Sequence, residues 1–458
     1  MWAPSLSDSD KPLYQQIVDA MAADIASGKL AIGEKLPPQR QLAWHLDINL
    51  STVTKAFHLA AQQHLIAGEV GRGTYILGQS VEAELFLLNQ AKQPKGDTHD
   101  TSAIIDLSTH IPATKVHDHD LENAISAITK AHNGLSTFLD YHSPSSLAHL
   151  QMAASTWLNQ NQYKIPADRC VITNTAQNAL MVSLMASCQK DDVVLVNELT
   201  FPGMKAIAKQ LHLKLYGVKT DQQGIIPEAL DLAIRSTGAR VLVSDSTFQN
   251  PTGACMSAER QTAFINVLKR HNLLFIEEFV MGMLAGAPPV SGAIQTQSIL
   301  ISSFAKTVSP GIRFATIAGK HPILETVAQE SHATSWQMSP LMAEVARHWI
   351  NEGIAEQRKQ WQINEIAKRY RIFKQVMPEL SLPTDSNGCS HVWLPTLGDA
   401  KEAAIVLEKK GVRVVPSHYF AVNHQFIQAV RVSLTAAKSR QQLKIGLERI
   451  KGSGVLCL

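Results

Sequence analysis

The N-terminal part of the chain has the hydrophobic period of α-helices. Leu13, Ile17, Met21 and Ile25 lie four residues apart, which predicts one helix with a single apolar face. A second helix is predicted to start at Pro37 and Pro38, with Leu42 and Leu46 facing inward. Ser51 is the predicted N-cap of a third helix, whose inward side chains are Val53, Phe57, Ala60 and Ala61.

A short hairpin is predicted after these helices, over residues 69–76, with glycines on both sides of Arg72. Two short helices around a tight turn and then a hairpin are the layout of a winged helix-turn-helix. In that layout the start of the third helix enters a major groove, and Arg72 lies near the phosphates or the minor groove. The alternative is a small packing domain whose polar third-helix face is only solvated.

This head resembles the GntR family of bacterial repressors over roughly residues 10 to 78. The matching residues are Leu36-Pro37 with Arg40, Leu42-Ala43, Ser51-Thr52-Val53 and Gly71-Arg72-Gly73-Thr74. The resemblance implies binding to double-stranded operator DNA through Arg40, Ser51, Thr52, Thr54, Lys55, Arg72 and Gly73. Residues 1–78 hold six basic and seven acidic side chains, a net charge of −1 without histidines. Because phosphate neutralisation supplies most non-specific affinity, we expect weak binding by one head and a need for two.

Beyond the head, the hydrophobic period weakens. Residues 81–91 could form one short helix, whereas residues 92–100 contain Pro94, Gly96 and several charges, which is typical of a flexible tether. We therefore divide the chain into a head (1–78), a linker (79–103) and a large domain (104–458).

The large domain alternates short apolar runs with helical stretches, which predicts an α/β fold with a mainly parallel sheet covered by helices on both faces. The predicted strands are 171–173, 193–196, 213–216, 241–243, 273–276 and 298–301. In such a fold the chemistry is expected in the loops at the strand ends.

One lysine is unusually placed for a surface residue. Lys306 lies between two apolar runs, and burial favours the neutral amine, which can form a Schiff base with an aldehyde. Seven residues later, Arg313 offers a planar set of donors suited to a phosphate. Lysine and arginine together suggest pyridoxal 5'-phosphate (PLP), although Ser-x-x-Lys alone is equally typical of an ordinary loop.

The order of the remaining motifs resembles that of a class I aminotransferase of PLP fold type I, over about residues 104 to 452. With a GntR head in front, the chain resembles the MocR regulators. The resemblance implies that Lys306 is the Schiff-base lysine and that Glu278, with Glu277 as the fallback, pairs with the pyridinium nitrogen. It assigns the remaining cofactor contacts to Thr175, Ala176, Gln177, Phe201, Asn250, Ser303 and Arg313. Arg431, an arginine inside an apolar strand, matches the residue that receives an α-carboxylate, and Tyr141 is the loosest match, to a tyrosine that reaches across a dimer.

The chain departs from the family where the chemistry is tuned. Glu277-Glu278 replaces the usual Glu-Asp-Asp, and Val280 and Met281 stand where a tyrosine would bond the cofactor oxygen. One such hydrogen bond is worth about 0.5–1.5 kcal/mol. We therefore expect PLP to bind while catalysis is degraded, which suits a sensor of an amino compound or of PLP itself. The alternatives are an active aminotransferase with a regulatory head and a cofactor-free scaffold.

Composition changes this reading little. The chain is 45% hydrophobic and 18% charged, with a net charge of +3, as in soluble globular proteins. Five scattered cysteines have no metal-ligand spacing, and neither a signal sequence nor an apolar run of membrane-spanning length occurs. We expect a cytoplasmic protein, and a homodimer by analogy with the family.

Overall fold

The computed structural model describes residues 2–4, 6, 11–26, 29–30, 34–62, 65–69, 73–76, 104–380, 389–423 and 427–457. The predicted linker and Arg72 lie outside the described residues, so both remain predictions. Among the described residues, no helix is long and apolar enough to cross a membrane.

The head contains three helices and a small antiparallel sheet. The helices are α1 (Leu13–Ala26), α2 (Gln39–His45) and α3 (Leu50–Gln62). The strands are β1 (Lys35–Leu36), β2 (Ile66–Glu69) and β3 (Gly73–Ile76), in the order β1-β3-β2. Ile17, Met21, Leu42, Val53 and Phe57 are buried in its core, as the four-residue spacing predicts.

The start of the third helix differs from the prediction. Helix α3 begins at Leu50, and the Oδ1 atom of Asn49 accepts hydrogen bonds from the backbone N–H and the hydroxyl of Ser51, both at 2.8 Å. Asparagine is among the strongest N-cap residues, and its side chain satisfies a backbone N–H that the helix leaves unpaired. The predicted N-cap at Ser51 is therefore wrong, and Leu50 is the first helical residue.

The large domain is built on a seven-stranded sheet in the order β5-β13-β12-β11-β10-β6-β7. Its strands are β5 (Cys170–Thr173), β6 (Val193–Asn197), β7 (Lys214–Val218), β10 (Val241–Ser244), β11 (Leu274–Glu278), β12 (Ser298–Ser303) and β13 (Ala315–Ala318). Only β13 runs antiparallel to its neighbours in this sheet, which confirms the predicted mainly parallel α/β fold.

Both faces of this sheet are buried. Val243 and Ile276 pack into one apolar cluster, whereas Leu242 and Phe275, one residue earlier on each strand, pack into another. Helices cover both faces, as expected for parallel strands. The helices between the head and the last lobe are α4 (Asp120–Ala131), α5 (Pro144–Gln160), α6 (Ala176–Ser187), α7 (Pro202–Gln210), α8 (Pro227–Thr237), α9 (Ala258–His271), α10 (Ile323–Ser335) and α11 (Pro340–Asn351).

A second lobe at the C-terminal end has its own apolar core. Its helices are α12 (Ile354–Val376), α13 (Ala400–Lys409) and α14 (Arg440–Lys451), and its sheet has the order β14-β17-β16. Those strands are β14 (His391–Pro395), β16 (Val415–Pro416) and β17 (Ala429–Ser433). The first strand after the linker, β4 (Ile105–Asp106), pairs in parallel with β15 (Val412–Arg413) of this lobe. A small hairpin, β8 (Thr220–Asp221) and β9 (Gly224–Ile225), lies apart from both sheets.

Candidate functional site

The predicted cofactor residues follow strands that end at one edge of the large sheet. Strands β5, β6, β10, β11 and β12 all run in the same direction, so their carboxyl ends meet there. The residues that follow or end these strands are Thr175, Phe201, Asn250, Glu278 and Lys306. The carboxyl edge of a parallel sheet is where α/β folds bind ligands.

Lys306 is half-buried in the turn after β12. Phe304 and Val308 beside it are buried, and the Lys306 ammonium donates a hydrogen bond to the backbone carbonyl of His110. The Ser303 hydroxyl donates to the Phe314 carbonyl at 3.3 Å and accepts from the Ala305 N–H at 3.1 Å. Ser303 therefore also shapes the turn that presents the lysine.

The predicted phosphate cup is the start of α6. The Thr175 hydroxyl accepts from the Asn178 N–H at 2.9 Å and caps the helix, and the first backbone N–H groups, at residues 176 and 177, have no partners within the helix. Such N–H groups, together with the helix dipole, favour an anion. Arg313 is exposed and left-handed (φ 56°) at the end of the 310–312 turn.

The predicted stacking residue lies beside this cup. The Gln177 side chain donates to the Gly203 carbonyl at 3.1 Å. A Cβ atom at Gly203 would lie 2.2 Å from Cε1 of Phe201 and 2.3 Å from Oε1 of Gln177, so any other residue would require these side chains to move. Glycine at 203 therefore lets the Phe201 ring and the Gln177 side chain lie close together in their present positions.

Arg431 lies on β17 of the C-terminal lobe and is fully buried. Its guanidinium donates to Oδ1 of Asn250 at 2.8 Å and to the Ser108 carbonyl at 2.9 Å, and it lies 4.9 Å from the Phe420 ring centre. Two neutral oxygens thus accept hydrogen bonds from this guanidinium. Because Oδ1 of Asn250 accepts from Arg431, the Nδ2 group is the end of that amide able to donate to a phenolic oxygen.

The two glutamates at the end of β11 point to different surroundings. Glu277 is fully buried and accepts from the Ser246 hydroxyl and from the backbone N–H groups of Val290 (3.1 Å) and Ser291 (2.7 Å). Burial raises its pKa. Glu277 therefore holds the 290–293 turn, and its neighbour Glu278 is half-buried at the strand end. The pairing of Glu278 with a pyridinium nitrogen stays a prediction.

Asp245, Ser390 and two histidines in this region were missed from the sequence. Asp245 follows β10, accepts from the Asn250 N–H at 2.7 Å, and burial raises its pKa to about 7. His110 and His391 are buried with ring centres 4.9 Å apart, and His110 shares a 2.6 Å hydrogen bond with the Ser390 hydroxyl. Burial, with nearby Lys306 and Arg431, lowers both histidine pKa values, that of His391 to about 3. The position of Asp245 just after a predicted strand could have indicated it. His110 and His391 are too far apart in the sequence for any local pattern to indicate their contact.

Two further predicted positions have clear surroundings. Met281, in the tyrosine's place, is buried with its sulfur 3.7 Å from the Ser390 hydroxyl. Tyr141 is 73% exposed, with its ring 5.9 Å from that of Trp336. The predicted contact of Tyr141 across a dimer involves a partner chain and stays a prediction.

The predicted DNA face is an open groove between α2, α3 and the hairpin, lined by Lys35, Gln39, Arg40, Leu50, Thr54 and Gly73 among others. Ser51 and Thr54 are exposed and Thr52 is half-buried. Lys55 instead places its ammonium 4.0 Å from the Tyr14 ring centre on α1. Gly73 (φ 125°) lies against the Lys35 side chain, which a Cβ atom would meet at 2.5 Å. Arg40, Thr54 and Gly73 thus line one groove, whereas Lys55 turns towards α1.

Two family models match the chain. Residues 102–450 match aminotransferase class I and II, and residues 13–76 match the gntR family of bacterial regulatory proteins. These matches cover the sheet with its pocket and the head with its groove.

Two named relatives align with nearly the whole chain. The chain is 27% identical over 97% of its length, and 95% of the relative's, to the uncharacterized HTH-type transcriptional regulator YdeF of Bacillus subtilis. It is 24% identical over 95% of its length, and 99% of the relative's, to the vitamin B6 salvage pathway transcriptional repressor PtsJ of Salmonella typhimurium. Among solved structures, an archaeal alanine:glyoxylate aminotransferase superposes with a TM-score of 0.73 at 19% identity, over 82% of this chain and 95% of that one.

Proposed function

Because the chain belongs to the class I and II aminotransferase family and carries a gntR-type helix-turn-helix, as MocR-type regulators do, we propose that it is a DNA-binding regulator controlled by an amino compound. One observation carries the proposal. Lys306 and Arg431 both bond to carbonyls of the same short segment, those of His110 and Ser108, so one ligand can engage both side chains. That segment directly follows β4, the first strand after the linker.

The residues present fit PLP, the cofactor of the family. The start of α6 and Arg313 offer donors for a phosphate, Phe201 offers a ring face, and Glu278 offers a carboxylate for a pyridinium nitrogen. At Gly203, the Gln177 side chain from the start of α6 lies close to the Phe201 ring. When bound, PLP supplies an aldehyde that a neutral amine can hold covalently and a ring that withdraws electrons.

Each side chain then has a task of its own. Lys306 is placed to hold the aldehyde of the cofactor, and Arg431 binds the carboxylate of the amino compound bidentately. That carboxylate takes the place of the Ser108 carbonyl, so the segment that leads to the linker is released. Val280 and Met281 provide no phenol to stabilise a transition state, which favours binding over turnover.

The relatives support regulation over catalysis. YdeF is named a transcriptional regulator and PtsJ a repressor of vitamin B6 salvage. The second name favours a vitamin B6 compound, PLP itself, as an additional signal. In that case PLP alone would change DNA binding, and an amino acid would modify the response.

The test compares the wild type with Lys306→Ala and, as the matched control that keeps a positive charge, Lys306→Arg. Equilibrium dialysis and visible absorbance measure PLP binding, and fluorescence anisotropy measures binding to operator DNA with and without amino acids. We expect the covalent absorbance to be lost in both variants. We also expect amino acids, but not the amines that lack their carboxylate, to shift DNA affinity in the wild type.

The competing function predicts a different result. An active aminotransferase would convert an amino donor to its keto acid over many turnovers, and Lys306→Ala would abolish that product. Repeated turnover, or DNA binding that ignores both PLP and amino acids, would overturn the regulator proposal.

A further inference from the structure

The outward face of α3 carries no positive side chain at its centre. Leu50, Ser51, Thr54 and His58 are exposed there, and Val53, Ala56 and Phe57 are buried on the opposite side. Lys55, at the edge, lies over Tyr14. The part of the helix that can enter a groove is therefore made of neutral groups, which read bases rather than neutralise phosphates.

One pair of these polar groups is already ordered. The Thr54 hydroxyl donates to Oε1 of Gln39 at 3.0 Å, joining α3 to the first residue of α2. The bond fixes the Gln39 amide so that its Nε2 hydrogens are turned away from Thr54, and Oε1 keeps a second lone pair. An amide with one donor and one acceptor available matches the N7 and N6 positions of adenine in the major groove.

An apolar side chain lies next to this pair. Leu50 is 39% exposed and lies four residues before Thr54, on the same face of α3. Gln39, Leu50 and Thr54 all line the groove between α2, α3 and the hairpin. In the major groove, the apolar group that a leucine can contact is the thymine methyl.

We propose that Gln39, held by Thr54, and Leu50 read A·T base pairs in the operator, the amide at adenine and the leucine at a thymine methyl. The inference rests on the proposed DNA-binding function and adds its sequence preference. Lys35 and Arg40, which line the same groove, contact phosphates on either side. Neither Gln39 nor Leu50 belongs to the DNA-contact set implied by the family resemblance.

The first experiment uses the full-length chain to select duplexes from a pool with a randomised core. The selected duplex is then made with thymines replaced, one at a time, by deoxyuridine, which lacks only the methyl group. At one thymine per half-site, we expect the wild type to lose about fourfold in affinity, the value of one buried methyl group. Leu50→Ala should bind the thymine and uracil duplexes equally, because it has no side chain to contact the methyl.

The second experiment tests the amide. Gln39→Ala should lower affinity for the selected duplex about tenfold or more and remove the preference for adenine at one position, as loss of a bidentate contact requires. Thr54→Val keeps the shape of Thr54 but cannot hold the amide, so it should give a smaller loss at the same position. Arg40→Ala is the control, and it should weaken all duplexes alike and reduce the salt dependence.

The outcomes separate the two proposals. If no duplex is selected over the random pool, the DNA-binding function itself fails. If a sequence is selected but the thymine and uracil duplexes bind equally well at every position, the readout by Leu50 is wrong. It is also wrong if the affinity losses from Leu50→Ala and from uracil are additive. If Gln39→Ala weakens every sequence equally, Gln39 contacts only the phosphate backbone and its assignment to adenine is overturned.

Discussion

At the scale of single residues, the candidate site is shaped by the hydrogen bonds that its buried charged side chains make. Arg431 has no exposed surface, and its guanidinium donates to an amide oxygen and to a backbone carbonyl. A carboxylate would bond the guanidinium more strongly than these neutral oxygens do. The free energy gained in that exchange is available to move the segment that begins at Ser108.

Asp245 gives a prediction of pH dependence. Burial raises its pKa to about 7, so between about pH 4 and pH 7 the folded chain keeps a proton that the unfolded chain has released. The contribution of Asp245 to the free energy of unfolding should therefore fall as pH rises through this range and stay level above it, so the wild type should lose stability relative to Asp245→Asn over this range. Asp245→Asn still accepts from the Asn250 N–H, and it should be more stable than the wild type at pH 8 by about 1–3 kcal/mol.

The measurement is urea denaturation of the cofactor-free protein at pH 5 and pH 8. Asp140→Asn is the control, because Asp140 is exposed and its carboxylate accepts a hydrogen bond from the N–H of the next residue, Tyr141. An Asp245→Asn variant with the same pH profile as the wild type would contradict the prediction.

The sequence predicted the site residues that have a local motif. Lys306 and Arg313 share one segment, and Thr175 and Asn250 follow recognisable strands. His110 and Ser390 were missed because they meet only in the folded chain, where the segment after β4 lies against the start of β14. Local pattern carries no information about a contact between such distant segments.

At the scale of elements, the start of α6 links stability to cofactor binding. Thr175→Val preserves side-chain shape but removes the acceptor for the Asn178 N–H. We expect a loss of about 1 kcal/mol in the free energy of unfolding. PLP affinity should also fall several-fold, because the first-turn N–H groups lose their fixed direction.

The chain offers a matched control for this cap. Ser439 caps α14 in the same way, accepting from the Gln442 N–H at 3.1 Å, but it lies in the C-terminal lobe. Ser439→Ala should cost a similar free energy in urea denaturation and leave PLP affinity in equilibrium dialysis unchanged. Equal losses of PLP affinity in both variants would mean that the cap acts only through overall stability.

Element prediction succeeded where apolar runs were long. All six predicted strands of the large domain occur in its main sheet, because buried parallel strands are apolar on both faces. The antiparallel direction of β13 was not predicted, since an apolar run does not encode strand direction. Strand β1 was missed because two residues, Lys35 and Leu36, are too short to show a period.

At the scale of the whole molecule, the charge of the head sets how it must be used. With a net charge of −1 over residues 1–78, one head gains little from phosphate neutralisation. We expect the full-length chain, as a homodimer, to bind a duplex with two correctly spaced half-sites about 100-fold or more tightly than a duplex with one. Anisotropy titrations with both duplexes measure this ratio, and sedimentation measures the oligomeric state.

Changing the spacing supplies the control. Adding half a helical turn between the half-sites rotates one to the opposite side of the duplex, and adding a full turn restores its direction. Affinity that does not depend on this rotation would show that the predicted linker, residues 79–103, lets the heads act separately.

The pairing of β4 with β15 has a consequence for engineering. Residues 105–106 enter the large domain as part of the lobe that carries Arg431, and two backbone hydrogen bonds fasten them there, from Ile105 to Gly411 and from Leu107 to Arg413. The junction for a chimaera is therefore the chain just before Ile104. A different DNA-binding module, grafted at that point, would inherit the same control by amino acids without requiring any new contact. Natural recombination at the same point could place a head with a different operator preference on the same large domain.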